Sequence, residues 1–308
     1  MSWKGLVIEQ PARLSLRLGQ LVLERQDGEH RIPLEDLSFV VLDTAQATLT
    51  AALLSACAES DCMVLTTDAR HLPNGVLQSF PTHHRQQETL YLQTDAGEPR
   101  KKRLWQGLVQ HKIANQADCL RALGLPGARA VAALARKVRS GDPDNVEGQA
   151  ARLYWSKMGE GFHRDSEGGD RLNALLNYGY ALVRSALAQT LAAHGFIPAL
   201  GLHHRSRQNP FNLADDMLEP WRPLVDCRAV NRWRAAGDAD GLTSEDRKHM
   251  LGIFFDQVQW QEGVQSVLSA LRPYVEQLRV CLGAAQGMLA CPSFTHAAPA
   301  GGRDGHAE

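Results

Sequence analysis

The chain has 308 residues, of which 44% are hydrophobic and 22% are charged, a composition typical of a globular protein with one large domain or two smaller ones. Its 33 basic and 34 acidic residues nearly cancel, so net charge alone does not indicate a nucleic-acid-binding protein. The sequence has no long apolar run, no signal-peptide core in MSWKGLVIEQ and no CxxC pair among its six cysteines, which predicts a cytoplasmic protein without membrane spans, a disulfide framework or a zinc site.

Residues 1–80 are predicted to form a small β-sandwich or β-roll. Short runs rich in Val, Leu and Ile alternate with turn segments such as QDGE, and they occupy residues 4–9, 13–16, 20–25, 30–33 and 37–42. A short helix is predicted at 48–59, before two further apolar strands, MVLTT and GVLQSF. Pro81 begins a predicted linker, residues 81–85.

Residues 86–290 are predicted to form a larger all-α domain, because the spacing of apolar residues changes to the helical period. Thr243 is a candidate N-cap for one helix, and other helices are predicted at 98–122, 127–138, 170–193 and 262–283. The tail, residues 291–308, is rich in small residues, Pro and Gly, and is predicted to be disordered. The predicted fold class is therefore α+β, with a small β domain followed by a larger helical domain.

Basic residues are concentrated in three places, at residues 100–103, 136–139 and 205–207. Each cluster taken singly is more often a solvated helix face than a binding site. Binding of nucleic acid would require these charges to lie on one side of the folded molecule.

The segment SGDPDNVEGQAARLYW places an acidic residue on an apolar helix face. Asp142 or Asp144 can cap the helix, and Glu147 lies two turns before Tyr154 on the same side. A carboxylate that points toward the buried side is costly unless it is paired or bound to a cation. Glu147 is therefore either a cation ligand or the partner of a basic residue such as Arg184.

The segment ALGLHHRSRQNPFNLADDMLEPWRPLVD, residues 199–226, brings histidines and carboxylates into a short span. A helix is predicted to begin near Asn212 and to end at the following prolines, and Asp216 and Glu219, three apart, project from one of its faces. An imidazole nitrogen with carboxylate oxygens is a ligand set for magnesium or manganese rather than for zinc. The alternative is a surface loop followed by an ordinary acidic helical turn.

Taken together, the patterns GDxxNxExQAAxxYW and GLxHRSxQNPFNLADDxxEPxRPLxD resemble the CRISPR-associated integrase and endonuclease family of spacer acquisition, a part of antiviral defence. The similarity extends to PLEDLSFVVLD near the start and to KKRLWQGLVQHKIANQA, so it covers essentially the whole chain. The variant that it resembles accompanies the single-protein effector nuclease of type II systems. The family's fold, a small β domain and a larger helical catalytic domain, agrees with the division predicted from periodicity.

The resemblance implies a site. It assigns the metal-binding and catalytic roles to Glu147, to His204 rather than its neighbour His203, and to Glu219, with Mg²⁺ or Mn²⁺ as the cofactor. Asp216 corresponds to a supporting or alternate ligand one helical turn earlier. One departure from the family pattern is Gly148, where alanine is more usual; glycine weakens the helix by up to about 1 kcal/mol but leaves the carboxylate in place.

The implied reaction is a transesterification, in which the 3′-hydroxyl of a short DNA attacks a phosphodiester at the edge of a CRISPR repeat. Arg205, Arg207 and Arg184 are candidate DNA contacts, with a structural ion pair as the alternative for each.

The implied partners are double-stranded DNA (prespacer and repeat), a second copy of the chain, a second small Cas protein that completes a heterohexamer, and the type II effector nuclease. Apolar residues near 4–9 and 20–25 suggest that the β domain forms the dimer. Competing hypotheses are a general metal-dependent nuclease and a non-enzymatic scaffold that holds DNA.

Overall fold

The computed structural model describes residues 4–60, 62–77, 86–159, 162–165, 169–236, 241–261, 263–284 and 287–294. These residues form two compact units, an N-terminal unit within Met1–Thr82 and a helical unit within His83–Ala298. The predicted linker, residues 81–85, lies outside the described residues.

In its described residues the N-terminal unit contains two four-stranded sheets, one α-helix and a 3₁₀ turn at Leu34–Asp36. Its elements are β1 (Lys4–Ile8), β2 (Ala12–Arg17), β3 (Gln20–Arg25), β4 (Gly28–Pro33), β5 (Leu37–Leu42), β6 (Ala47–Leu49), α1 (Ala51–Glu59), β7 (Met63–Thr67) and β8 (Pro73–Val76). The strand orders are β1-β5-β7-β8 and β4-β3-β2-β6. In the first sheet β1, β5 and β7 are parallel, and every residue of β5 is buried, as expected for a central strand covered on both faces.

Two expectations for this unit are corrected by its contacts. The helix predicted at 48–59 begins at Ala51, because residues 47–49 pair with β2 and the Thr50 side chain accepts a hydrogen bond from the Leu53 N–H. The apolar residues of β1 and β3 do not form a leftover surface, since Leu6, Leu21 and Leu23 lie in the unit's own core.

The helical unit is built mainly from helices packed around α3 and α6. Its helices are α2 (Gln86–Asp95), α3 (Glu98–Ala122), α4 (Ala128–Ala135), α5 (Val146–Trp155), α6 (Arg171–Ala193), α7 (Asn212–Leu218), α8 (Arg222–Ala236), α9 (Ser244–Leu251) and α10 (Val267–Gly283). The predicted α+β class, with a β region followed by a mostly helical one, is confirmed. Among the described residues, none of the helices has the length and apolar character needed to cross a membrane.

This unit is not all-α, because it also contains a three-stranded antiparallel sheet. The sheet consists of β9 (Gln257–Trp260), β10 (Gly263–Ser266) and β11 (Ser293–Phe294), in the order β10-β9-β11. The last helix therefore begins at Val267, with Ser266 as its N-cap, and not at residue 262. The prediction of disorder from residue 291 is wrong for residues 291–294, while residues 295–308 lie outside the described part.

Candidate metal centre

Glu147 lies in the first turn of α5, and the preceding loop holds that turn in place. The N-cap is Asn145, which adopts a left-handed conformation (φ 49°) and accepts a hydrogen bond from the Gly148 N–H. Asp142, one of the two predicted caps, accepts hydrogen bonds from the N–H groups of Val146 and Glu147, both at 2.9 Å. The other, Asp144, pairs with an exposed arginine instead.

Lys112 of α3 is the partner of Glu147. Its Nζ lies 2.5 Å from Glu147 Oε1 and also contacts Glu219 Oε2. Arg184, the partner considered from the sequence, lies 3.9 Å from Asp215 instead. Burial lowers the pKa of Lys112, but the two carboxylates outweigh burial and raise it above its ordinary value, so the ammonium is charged.

Glu219 begins a single 3₁₀ turn, residues 219–221, that connects α7 to α8. Its side chain is buried, and its Oε1 accepts a hydrogen bond from Arg222 Nε at 2.9 Å. Its Oε2 lies against the Lys112 ammonium but accepts no hydrogen bond of acceptable geometry. Burial raises the pKa of Glu219, but Arg222 and Lys112 lower it to about 2, so the carboxylate is ionised at neutral pH.

Asp216 determines where the His204 imidazole points. Asp216 is fully buried, and its Oδ2 accepts hydrogen bonds from the N–H groups of Leu202 at 2.6 Å and His203 at 3.0 Å. Its Oδ1 lies 2.6 Å from His204 Nδ1. This contact favours a proton on Nδ1, raises the pKa of His204, and leaves Nε2 as the nitrogen that can bind a metal ion.

Gly201 makes this loop possible. A Cβ at position 201 would lie 2.3 Å from the His204 carbonyl oxygen and 2.8 Å from Asp216 Oδ2, so a larger residue would push the loop away from α7. The Gly-x-x-His spacing of the motif thus has a steric basis.

His203 and His204 have different surroundings. The His203 ring stacks on buried Trp105 with the centroids 4.2 Å apart and the planes 2° from parallel. His204 meets the same indole edge-on, with the centroids 5.6 Å apart. Trp105 therefore holds the two imidazoles at nearly right angles, a role that the sequence did not reveal.

Lys112 was also missed from the sequence, although a signal was present. Leu104 and Leu108 mark the buried face of α3, and Lys112 continues that face at the next i+4 position. A lysine on an apolar stripe, like Glu147 on its own helix, signals a buried charge pair.

The three candidate arginines do not share one environment. A single guanidinium nitrogen of Arg205, Nη2, donates to both carboxylate oxygens of Glu98, at 2.5 and 2.6 Å, and both side chains are exposed. Arg184 packs over the Phe211 ring, 5.3 Å from its centroid. Arg207 is exposed.

The arrangement fits a divalent cation. Carboxylates from two separate elements meet at the Lys112 ammonium. The imidazole of His204, which is oriented by buried Asp216, lies within range of the charge of Glu219. Among the residues that the structure describes, no three His, Cys, Asp or Glu side chains are grouped tightly enough to hold a metal ion by themselves. Lys112 stands between the two carboxylates, so the ligand role of Glu147, His204 and Glu219 stays a prediction.

Comparison with known proteins identifies the family. The family described as CRISPR associated protein Cas1 matches residues 6–238 of the chain. This chain belongs to the Cas1 family. It is 39% identical, over 91% of its own length and 92% of the relative's, to a CRISPR-associated endonuclease Cas1 of Neisseria meningitidis serogroup C (strain 8013). It is also 29% identical to a CRISPR-associated endonuclease Cas1 of Pyrobaculum aerophilum, over 72% of this chain and 79% of that one.

Solved structures share the Cas1 fold. A casposase bound to integration product superimposes with a TM-score of 0.74 at 15% identity, over 91% of this chain and 90% of that one. A Cas1 protein from Thermotoga maritima gives a TM-score of 0.66 at 16% identity, over 91% and 97% of the two chains. At these identities the similarity establishes the fold, and the site must be argued from its own residues.

Proposed function

We propose that this chain is a metal-dependent integrase of CRISPR adaptation, acting in the cytoplasm on DNA. Its reaction is the insertion of new spacer DNA by attack of a 3′-hydroxyl on a phosphodiester of the repeat. The observation that carries the proposal is that Glu147 and Glu219 meet at the Lys112 ammonium, while His204 is oriented by Asp216 and lies close enough to Glu219 for its charge to raise the pKa of the imidazole. Membership of the Cas1 family and 39% identity to a protein named as a CRISPR-associated endonuclease support it.

The candidate ligands suit Mg²⁺ or Mn²⁺. Glu147, Glu219 and His204 would hold the ion, and the two carboxylates favour a hard cation while the imidazole shifts the preference toward Mn²⁺. A bound divalent ion polarises the attacking hydroxyl and neutralises charge on the phosphoryl oxygens. Within the protein, Asp216 keeps the His204 proton on Nδ1, and Arg222 holds Glu219 Oε1 in place.

Two basic clusters of the sequence are neighbours in the folded chain and offer a surface for DNA phosphates. The Gly141 N–H donates to the Lys102 carbonyl oxygen at 3.0 Å, which brings the end of the 136–139 cluster against the start of α3. Arg205 reaches the same end of α3 through Glu98. We define this basic face by its exposed residues: Lys102, Arg103, Arg136, Lys137, Arg139 and Arg205.

The proposed partners follow from the reaction. Insertion at both ends of a repeat requires two copies of the site, which favours a homodimer of this chain. Structures with the same fold include a Cas6-RT-Cas1–Cas2 complex and a TtCas1–DNA complex. We propose that this chain likewise binds DNA and a Cas2 partner, forms a heterohexamer with that partner, and cooperates with the type II effector nuclease.

The test is a strand-joining assay. A labelled duplex with free 3′-hydroxyls and a plasmid that carries the repeat should give joined products in Mg²⁺ or Mn²⁺, and EDTA or 3′-dideoxy ends should abolish joining. Released fragments without joined strands would indicate a general nuclease, and DNA binding without chelator-sensitive activity would indicate a scaffold.

Replacing Glu147 with Ala should reduce strand joining by more than about 100-fold, since loss of a ligand exceeds the effect of losing a supporting residue. Folding should be preserved, because Lys112 remains paired with Glu219. Glu245→Ala is the matched control, because that side chain is 83% exposed and its surface ion pair contributes little. Equal losses of thermal stability and activity in Glu147→Ala would indicate a structural carboxylate instead.

A further inference from the structure

Lys112 contacts both candidate metal-binding carboxylates. Its side chain is only 12% exposed, and its ammonium contacts Glu147 Oε1 at 2.5 Å and Glu219 Oε2. These two glutamates lie on different elements, so one ammonium connects α3 to α5 and to the turn after α7. Lys112 therefore does more than form a single ion pair, because its charge is shared between two carboxylates.

The formal charges at this position cancel. Glu147 and Glu219 contribute two negative charges, and Lys112 and Arg222 contribute two positive charges. A divalent ion that joins the four groups makes the position strongly positive, which is unfavourable at short range in a partly buried site. A phosphodiester at the same place offsets that charge, so the ion and the phosphate each favour binding of the other.

The two cations differ in freedom to move. Arg222 is held on two sides, because its Nε donates to Glu219 Oε1 at 2.9 Å and its guanidinium lies over the Tyr180 ring, 4.6 Å from the centroid. Lys112 has a flexible four-carbon stem and a point charge with rotatable donors. Glu219 Oε1 is occupied by Arg222, whereas Oε2 faces the Lys112 ammonium, so Oε2 is the oxygen that becomes available when that ammonium moves.

We propose that Lys112 is a positioning residue that competes with the divalent cation for Glu147 and Glu219, so that tight metal binding requires a DNA phosphate at the site. Without DNA the ammonium shares the two carboxylates and weakens metal binding. When a phosphodiester is bound, the ammonium turns to a phosphate oxygen and releases the carboxylates to the ion. The proposal rests on the proposed function, because it takes the two glutamates as metal ligands.

The experiment measures Mn²⁺ binding to the full chain by calorimetry, alone and with a short duplex whose 3′ ends are blocked so that no joining occurs. For the natural protein, DNA should tighten Mn²⁺ binding at least tenfold. In Lys112→Met, Mn²⁺ binding without DNA should be at least tenfold tighter than in the natural protein, and DNA should add less than threefold. Arg121→Met is the matched control, since Arg121 is an ion-paired cation on the same helix, and it should behave as the natural protein does.

A second variant and a second readout cover the case in which Lys112→Met folds poorly. Lys112→Gln keeps a polar group without the charge and should show the same tightening. In both variants the melting temperature in EDTA should fall, because two neighbouring carboxylates lose their shared cation, and Mn²⁺ should raise it by more than in the natural protein. An Mn²⁺ shift equal to that of the natural protein would overturn the proposal.

The outcomes separate this inference from the proposed function. If Glu147→Gln weakens Mn²⁺ binding while neither Lys112 variant tightens it, the inference about Lys112 is wrong and the metal site stands. If the natural protein binds no Mn²⁺ with or without DNA and Glu147→Gln changes nothing, the metal site is wrong, and both proposals fall with it.

Discussion

Asp216 acts on the site through its neighbours and not by direct contact with a candidate ion. It is fully buried at the middle of α7 and accepts hydrogen bonds from three consecutive backbone N–H groups, residues 202–204, as well as from His204 Nδ1. An ionised carboxylate has enough acceptor capacity for all four contacts, whereas the amide of Asn offers one oxygen. The charge of Asp216 therefore matters for the loop and for the imidazole together.

Asp216→Asn should weaken Mn²⁺ binding by about 10–100-fold, as expected when a residue that orients a ligand is altered. It should also lower the free energy of unfolding by about 1–3 kcal/mol, because buried N–H groups lose their acceptor. Calorimetry and denaturant titration measure the two effects. Asp95→Asn, at an exposed position of α2, is the control and should leave metal affinity nearly unchanged. Normal affinity in Asp216→Asn would show that His204 is oriented in another way.

At the scale of elements, Asp226 links three helices of the site through tyrosine hydroxyls. Tyr154 of α5 donates to Asp226 Oδ2 at 2.9 Å, and Tyr180 of α6 donates to Oδ1. Burial raises the pKa of Asp226 on α8 to about 6, and the two hydroxyls and Arg222 offset this only in part. The carboxyl group of Asp226 therefore keeps its proton up to a higher pH in the folded protein than in the unfolded chain.

This raised pKa predicts how stability depends on pH. Between the ordinary value of 3.8 and about 6 the folded state binds more protons at Asp226 than the unfolded state, so this contribution to stability is complete below pH 3.8 and is lost as pH rises through 6. The full contribution is about 3 kcal/mol, from roughly two pKa units. Unfolding of the natural protein and of Asp226→Asn should be compared across this range.

The difference in the free energy of unfolding between the two proteins should change with pH in that window and be constant above it. Asn does not titrate, so Asp226→Asn removes the contribution of Asp226 to the pH dependence of stability and leaves the contributions of all other titrating groups. Parallel pH profiles for the two proteins would mean that the pKa of Asp226 is the same in the folded and the unfolded state.

At the scale of the whole molecule, near-neutral charge requires that DNA affinity come from the basic face. Affinity should then fall steeply with salt, since each phosphate contact releases counterions and adds about 0.9 to the slope of log affinity against log salt. Lys102→Ala with Lys137→Ala should reduce that slope by about 2. Arg70→Ala in the N-terminal unit, where the side chain is 75% exposed, is the control. A slope unchanged by the double variant would place the DNA elsewhere.

The chain should also form a dimer through its N-terminal unit, although the reason differs from the one suggested by the sequence. The apolar residues of β1 and β3 are used in the unit's own core, but β4 is an edge strand with exposed side chains. Edge strands present unpaired N–H and C=O groups that a second copy can pair with.

Sedimentation of the full chain should therefore give twice the mass of one chain. Hydrogen exchange should show amides of residues 28–33 that are protected at high concentration and lose protection on dilution. A monomer at all concentrations, or protection that changes only in the helical unit, would contradict this arrangement.

The sequence by itself determined the family and the bounds of several helices, although not the β9–β11 sheet. The bounds of α3 and α6 follow from apolar periodicity, and the capping pattern at Thr243 correctly marked the start of α9. These features are local, because one or two helical turns contain the spacing and the cap that produce them. The candidate site residues were selected in the same way, from unusual polar groups and a long motif.

Only the tertiary structure decided which groups meet. Lys112 is 35 residues from Glu147, yet its ammonium lies against that carboxylate and against Glu219. His203 and His204 are adjacent in sequence, yet the His203 ring stacks on the face of Trp105 while the His204 ring contacts the carboxylate of buried Asp216. Contacts of this kind depend on how distant elements pack. The free energy cost of burying each charge depends on the partner that another element brings next to it, so it cannot be assessed from the local sequence.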